Sequence, residues 1–401
     1  MTILEKATRE HTKVHNRRLI LRTIYDQGAI SRVDISRMTQ LTRTTVSANV
    51  SEMLDEGLVE EVGTGESVGG KPPTLLSLAE DSRHLIGLDL ASGTLRGAVI
   101  SMRGKVRHQA SVALPGQGGE AVLAAVYQLI DQLIASTSSP ILGIGIGAPG
   151  IIDAAQGMVR QAVNLDWREL PLRTILTKRY SLPVHVANDS HVAAIAEYTF
   201  GVHKNVGNLV VVKIGRGIGM GMVLNGRLFY GDGGGAGEIG HVVVVDHGTL
   251  CRCGSFGCLE TVASSQAIIQ QARTMAHHQP ESKLHALVSQ GHELTMVDVV
   301  AAHHAGDTTL QPIITNVGRY LGSALAFVVG TLNINHVIIA GTVAGFGQAL
   351  LEPLNAQLQR RTLATLAHQT MIEQSTLGPD IVTLGAAALL LAQELGLNQF
   401  P

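Results

Sequence analysis

From His84 onward the chain is written in short aliphatic runs that end in glycine-rich turns, and it passes through that pattern twice. Leu85–Leu90 and Leu95–Ile100 read as buried strands, with a third near Val106–Leu114. A helix over Gly119–Ala135 leads to a strand at Ile141–Ile146 and the turn Gly147-Ala148-Pro149-Gly150. Val184–Ala187 is a strand that stops at Asn188-Asp189, and a helix follows to near Phe200. Asn208–Ile214 is the next strand, and Gly215–Gly221 reads as a glycine-rich turn entering a hairpin through Asn225-Gly226. A strand meander followed by alternating helices and strands, used twice, implies two α/β lobes with a cleft between them. Aromatic residues make up only 3% of the 401 residues while glycine numbers 45, so the cores must be aliphatic and the turns tight. A hydrophobic strand that ends in a polar dipeptide sets Asn188 and Asp189 at the edge of the cleft.

The first eighty residues have a different texture. Residues 1–45 hold nine lysines and arginines against four acids, a local charge of +5, while the remainder carries −7. A basic head on an acidic body is expected where one end meets phosphates, although a solvated helix face gives the same count. Arg17–Gln27 is a helix with Leu19, Ile20, Ile24 and Tyr25 inward and Gly28 as its C-terminal stop. Ser31 can cap a short helix, Arg32–Met38, with Ile35 and Met38 buried. After a turn at Gln40-Leu41, Thr42 caps a third helix to about Glu56, whose inward stripe is Val46, Val50, Met53 and Leu54. Its other face begins Arg43, Thr44, Thr45, Ser47, Ala48, which is the composition of a helix N-terminus that enters a DNA major groove. Two strands, Gly57–Val62 and Pro73–Leu78, flank a flexible loop from Gly63 to Lys71 and form a wing, with Lys71 at its base placed to approach phosphate. Together these features predict a winged helix-turn-helix over residues 1–80 that binds double-stranded operator DNA. A plain three-helix packing module is the bland alternative.

The three cysteines, Cys251, Cys253 and Cys258, lie within eight residues, and His241 stands ten residues before the first. Nothing suggests the pairing or the oxidising compartment that a disulfide framework needs. Three thiolates and one imidazole supply four tetrahedral ligands with no open position, which points to structural Zn2+; three free thiols in a loop are the alternative.

Four stretches carry a family resemblance: GIGIGAPGIID (143–153), NDSHVAAIAE (188–197), GEIGH (237–241) and CRCGSFGCLE (251–260). The chain resembles the ROK family, which groups repressors, open reading frames and sugar kinases, over residues 13–396. The winged helix in front is similar to the repressor branch of the xylose and glucose type, where relatives tend to have Gly-Gly-Arg in the wing and this chain has Gly69-Gly70-Lys71. The resemblance implies an actin-like, ribonuclease H-like two-lobed fold of the ATPase and sugar-kinase kind over residues 81–401. It also implies zinc on His241, Cys251, Cys253 and Cys258. The positions that contact sugar hydroxyls in the family match Asn188, Asp189, Glu238, His241 and Glu260. Carboxylates suit that task because they accept hydroxyl hydrogens in pairs. His241 can bind zinc through one ring nitrogen and face the sugar with the other, so that the metal organises the pocket.

Asp189 also matches the general base of ROK kinases, which keeps an alternative open: an ATP-dependent sugar kinase with an accessory winged helix. Phosphoryl transfer needs a nucleotide cradle. The family's first phosphate loop, Asp-x-Gly-Gly-Thr, is here Asp89-Leu90-Ala91-Ser92-Gly93-Thr94, with Cβ atoms where kinases have bare backbone. The later glycine-rich turn is Ile339-Ala340-Gly341-Thr342-Val343-Ala344, also depleted, while Lys213–Gly219 keeps its glycines. The expectation is therefore a sugar-gated repressor and no enzyme, with Asp189 vestigial as a base, acting as a homodimer or dimer of dimers on a palindromic operator. The opening MTILEKATREHTK lacks the apolar stretch of a secretion signal, and the longest apolar run, Leu321–Leu332, is too short for a bilayer. A cytoplasmic protein without a membrane partner is expected.

Overall fold

A computed structural model describes residues 9–66, 72–90, 93–114, 118–204 and 206–397. The N-terminal part contains α1 (Arg9–Gln27), β1 (Ile30–Ser31), α2 (Arg32–Thr39), α3 (Arg43–Asp55), β2 (Val59–Thr64) and β3 (Thr74–Leu78). The expected punctuation is in place. Gly28 adopts φ +76° and its N–H closes on Ile24 O. The Ser31 side chain accepts from Asp34 N, and that of Thr42 accepts from Thr45 N. The strands pair antiparallel in the order β1-β3-β2, with a bulge between Glu61 and Gly63. Ile20, Ile24, Ile35, Val46, Val50 and Met53 are fully buried. Met38 was expected inward and is 51% exposed. The chain turns at once through left-handed Gln40, and Leu41 packs on the core instead. The wing tip and Lys71, with its neighbours Gly69 and Gly70, lie outside the described residues.

Two five-stranded sheets follow. The first is built from β4 (His84–Asp89), β5 (Thr94–Ser101), β6 (Val106–Ala113), β7 (Ile141–Ala148) and β11 (Val184–Asn188), with α4 (Gly119–Ala135) on its outer face. A small sheet beside it holds β8 (Ile151–Asp153), β9 (Met158–Ala162) and β10 (Trp167–Leu170), before α5 (Leu172–Tyr180) and α6 (Asp189–Phe200). The second sheet has β12 (Leu209–Ile214), β13 (Ile218–Leu224), β14 (Arg227–Leu228), β15 (His336–Ala340) and β16 (Met371–Gln374). Its helices are α7 (Glu260–Ala263), α8 (Ser265–His278), α9 (His285–Ser289), α10 (Met296–His304), α11 (Gln311–Leu332), α12 (Gln348–Arg361) and α13 (Ala364–Ala367), and α14 (Ile381–Glu394) returns to the first sheet. The sheet orders, β11-β7-β4-β5-β6 and β14-β13-β12-β15-β16, are one topology written in opposite directions: an antiparallel meander with two parallel strands added at its first strand. The twofold pattern in the sequence is thus a structural duplication.

α14 and α6 lie between the sheets, α14 against β4 and β7, α6 against β12 and β13, and each against the other. Glycines make that layering tight. A Cβ at Gly145 would stand 2.0 Å from Ala386 O, and one at Gly385 would stand 1.8 Å from Val192 O. Gly219 and Gly221, read from sequence as part of a turn, sit in β13, where their lack of a side chain admits Ser190 of α6. Gly385→Ala should therefore cost about 3 kcal/mol, because it pushes on backbone that cannot rotate away. A urea midpoint unchanged from the parent would show that α6 and α14 can separate freely.

α11 belongs to the one segment, Thr308–Leu332, that is long and apolar enough to cross a membrane among the described residues; half of its most apolar window is buried. It packs closely on α12, where a Cβ at Gly322 would meet Leu354 O at 2.4 Å.

The N-terminal part is fastened to the body. Arg103, in the turn between β5 and β6, stacks 4.5 Å over Tyr25 and donates to Tyr25 O. Arg107 pairs with Glu80 and Asp81 in the short join. Gly396, just past α14, lies against Arg18, and Tyr198 near the end of α6 is within electrostatic reach of Arg22 and Asp26. Ile20, Ile24, Tyr198 and Leu397 all belong to one continuous core.

Candidate functional site

Two surfaces carry the chemistry expected from the sequence. On α3, Arg43, Thr44, Ser47 and Ala48 are exposed. Thr45 is half-buried, with its hydroxyl 2.9 Å from Thr42 Oγ1 in the cap. This face is short, polar and free of bulky side chains, which is what a groove-entering helix needs. The +5 of residues 1–45 is offset by acids further along the head, and five of its cations pair within it: Lys13–Glu52, Arg17–Glu56, Arg22–Asp26, Arg32–Glu61 and Arg37–Asp34. Exposed pairs of this kind stabilise little and remain available for exchange with phosphate.

The second surface is the cleft. Asn188 caps α6, accepting from Ser190 N and His191 N, and donates Nδ2 to Gly150 O at 2.9 Å. Its amide therefore positions the loop after β7 as well as the helix. Asp189 opens α6, and its Oδ2 lies 2.6 Å from Lys213 Nζ. Glu260, at the start of α7, accepts from Ile218 N at 3.2 Å, which fixes it over the β12–β13 turn. Glu238 stands beside His241, Oε2 to Nε2 at 3.8 Å. Burial raises the Glu238 carboxyl above the usual range; His241 offsets part of this, and the carboxylates of Asp189 and Glu260 add to it. The structure thus brings Asp189, Glu238, His241 and Glu260 into one electrostatic neighbourhood.

His241 also faces the cysteines. Its Nδ1 lies 3.6 Å from Cys251 Sγ, Cys253 and Cys258 are 3.6 Å apart at sulfur, and all four ligand atoms fall within 4.8 Å of one another. The loop is shaped for this convergence. Cys251 N donates to Ser255 O, and Gly257 at φ +72° passes so close to Val245 O that a Cβ would stand 1.8 Å away. The Ser255 backbone N–H pulls the Cys253 thiol down to about 6, while burial pushes Cys258 up to about 12. Such a cluster could hold a metal ion through its thiolates.

Two buried residues have roles that the sequence reading missed. His191 Nε2 lies 2.9 Å from Ala236 O and its ring meets Tyr230 edge-on, anchoring the glycine-rich segment before Glu238 to α6. Burial depresses its pKa, so it serves as a neutral hydrogen-bonding group. Lys213 interrupts the apolar strand Leu209–Ile214, and a lysine in such a run was the available signal. Ala91 and Ser92, on which the altered phosphate loop was read, lie outside the described residues. Val343 of the later turn is fully buried in the second lobe's core.

Comparison with known proteins gives concordant results. A family model described as the ROK family matches residues 85–393, and one described as winged helix-turn-helix DNA-binding matches residues 15–60. The chain is 32% identical over 389 residues to a xylose repressor of Caldicellulosiruptor bescii, covering 96% of this chain and 97% of that protein. It is also 32% identical over 317 residues to a glucokinase of Halalkalibacterium halodurans, which covers 96% of that protein but 78% of this chain. Among solved structures, a ROK family transcriptional regulator described as a homolog of the E. coli MLC protein superposes with a TM-score of 0.83 at 30% identity. That match covers 97% of this chain and 98% of the other.

Proposed function

The chain belongs to the ROK family, and from this premise we propose that it is a sugar-responsive transcriptional repressor that leaves its operator when a sugar fills the cleft. One observation carries the reading. The residues matched to sugar hydroxyls gather at the N-terminal end of α6, while Tyr198, near its other end, lies within electrostatic reach of α1 of the DNA-binding head. A twelve-residue helix spans about 18 Å. A tilt imposed at Asp189 is therefore delivered to the head by a rigid rod.

Asn188, Asp189, Glu238, His241 and Glu260 would hold the sugar by paired hydroxyl hydrogen bonds, drawn from both lobes, so that binding favours a closed cleft. His241 Nδ1 with Cys251, Cys253 and Cys258 would hold structural zinc. A tetrahedral site with Zn–S bonds of about 2.3 Å places sulfurs about 3.8 Å apart, close to the 3.6 Å between Cys253 and Cys258. Zinc there supplies no reaction; it locks the His241 ring so that Nε2 faces Glu238 and the sugar. Arg43, Thr44, Thr45 and Ser47 would read base edges and Lys71 would meet phosphate. A homodimer in the cytoplasm presents two such helices to a palindromic site.

The kinase alternative is disfavoured because Asp189 is engaged by Lys213 and because the glucokinase match leaves about a fifth of this chain unaccounted for. The test is operator binding by fluorescence anisotropy on the protein's own promoter DNA, with xylose, glucose and N-acetylglucosamine in turn. One sugar should weaken binding. Arg43→Ala should cost about 1–3 kcal/mol and relax sequence choice, while Lys71→Ala should lower the salt slope by about one. Sugar-dependent ATP turnover near about one per second would restore the kinase reading.

A further inference from the structure

Asp89 ends β4 and Asn188 ends β11, and the two strands flank β7 with Asp89 opposite Gly147 and Asn188 opposite Ala148. Asp89 and Asp189 therefore emerge at one edge of the first sheet. Lys213 comes from β12, in the second sheet, and reaches across to Asp189 Oδ2 at 2.6 Å. Its side chain is 14% exposed and that of Asp189 13%, while Asp89 is buried. Arg96, opposite Asp89 on β5, stands 3.7 Å from it. Two nearly buried carboxylates at one sheet edge, on strands separated by β7, repel one another and ordinarily need cations or a proton. Here Arg96 faces Asp89 from the same sheet, and a side chain from the other lobe supplies the charge for Asp189.

We propose that Lys213 is the built-in counter-cation of the cleft, facing Asp189 at the sheet edge where Asp89 also ends, in place of a bound metal ion, and tying the two lobes together beside the sugar site. Burial alone would lower the lysine's pKa, but Asp189 and Asp89 outweigh it and hold the ammonium above the ordinary lysine range, so the strut stays charged. A ligand that engages Asp189 must share it with this ammonium. The sugar-site consequence rests on the function proposed above; the charge balance does not.

The test uses Mg2+ alone as the probe, with no sugar and no DNA, so it succeeds or fails independently of the repressor reading. Mg2+ is a hard, oxygen-seeking ion and does not compete for the cysteine cluster. Full-length wild type, Lys213→Met, Lys213→Met/Asp89→Asn and Lys213→Met/Asp189→Asn are melted across a millimolar Mg2+ series. Wild type should be insensitive. Lys213→Met should melt lower and be raised by Mg2+, and removal of Asp89 should abolish that response. Lys213→Met/Asp189→Asn, which deletes both partners, should recover stability relative to the single variant and ignore Mg2+. If Lys213→Met does not fold, folding of this neutral double variant supports the proposal and its failure overturns it. A folded Lys213→Met with the same melting curve at every Mg2+ concentration overturns it as well.

Discussion

Replacing Cys258 by serine should empty the metal centre and lower stability by about 4 kcal/mol or more, an effect confined to a few mechanisms of which metal loss is one. Cys258 is chosen because it is fully buried, its sulfur lies 3.5 Å from His241 O, and the isolated bridge between Val243 and Cys258 ties the loop down. Cys253 is exposed, and Cys253→Ser should release the metal with a milder structural penalty. Elemental analysis of wild type purified without chelator should find one zinc per chain, and a strong chelator should reproduce the Cys258→Ser melt. Metal-free wild type with an unchanged melting curve would remove zinc from the account. The secondary damage is expected at the neighbouring site, since His241 would lose the constraint that aims Nε2 toward Glu238.

Glu238→Ala should yield a repressor that holds its operator whether or not sugar is present. If sugar and operator compete through the lobes as proposed, a coupling of about 1–3 kcal/mol should weaken wild-type DNA binding about 5–150-fold at saturation. Glu238 comes from the second lobe, whereas the contacts of the head described above are made to β5, β6 and the ends of α6 and α14. Sugar-free operator affinity should therefore stay within about twofold of wild type, as expected for a change remote from that interface. The measurement is four dissociation constants: wild type and variant, with and without the inducing sugar. A variant that still responds to sugar would take Glu238 out of the pocket, and a sugar that tightens wild-type binding would make it a corepressor. Four equal values would mean that the cleft and the head are uncoupled.

Much of this architecture was legible because its signals are local. Ser31 and Thr42 announce helix starts through the shape of one side chain, and Gly28 announces a stop through one dihedral angle. Gly119–Ala135 was placed to the residue because its apolar spacing is unbroken. Misplacements arose where a distant partner decides. Gly219 and Gly221 resemble a turn until α6 is known to press on them, and Met38 resembles a core residue until Leu41 takes the space. Residues 1–45 carry +5, yet three of their cations, Lys13, Arg17 and Arg32, meet Glu52, Glu56 and Glu61, which lie beyond that stretch and which only the fold brings near. The cleft divides the same way. The motifs flagged Asp189, Glu238, His241 and Glu260, whereas Lys213 gains its meaning from carboxylates on the opposite lobe, which no spacing along the chain encodes.

The fastening of the head to residues beyond α14 has a consequence in time. α1 is made before the body, and Gly396, which lies against Arg18, is made after α14. At about 5–20 residues per second, the roughly 380 residues from Arg18 to Gly396 take tens of seconds to appear. During that interval the core that Ile20 and Ile24 share with Tyr198 and Leu397 is incomplete. The head is fully fastened only when α14 and the residues after it seat.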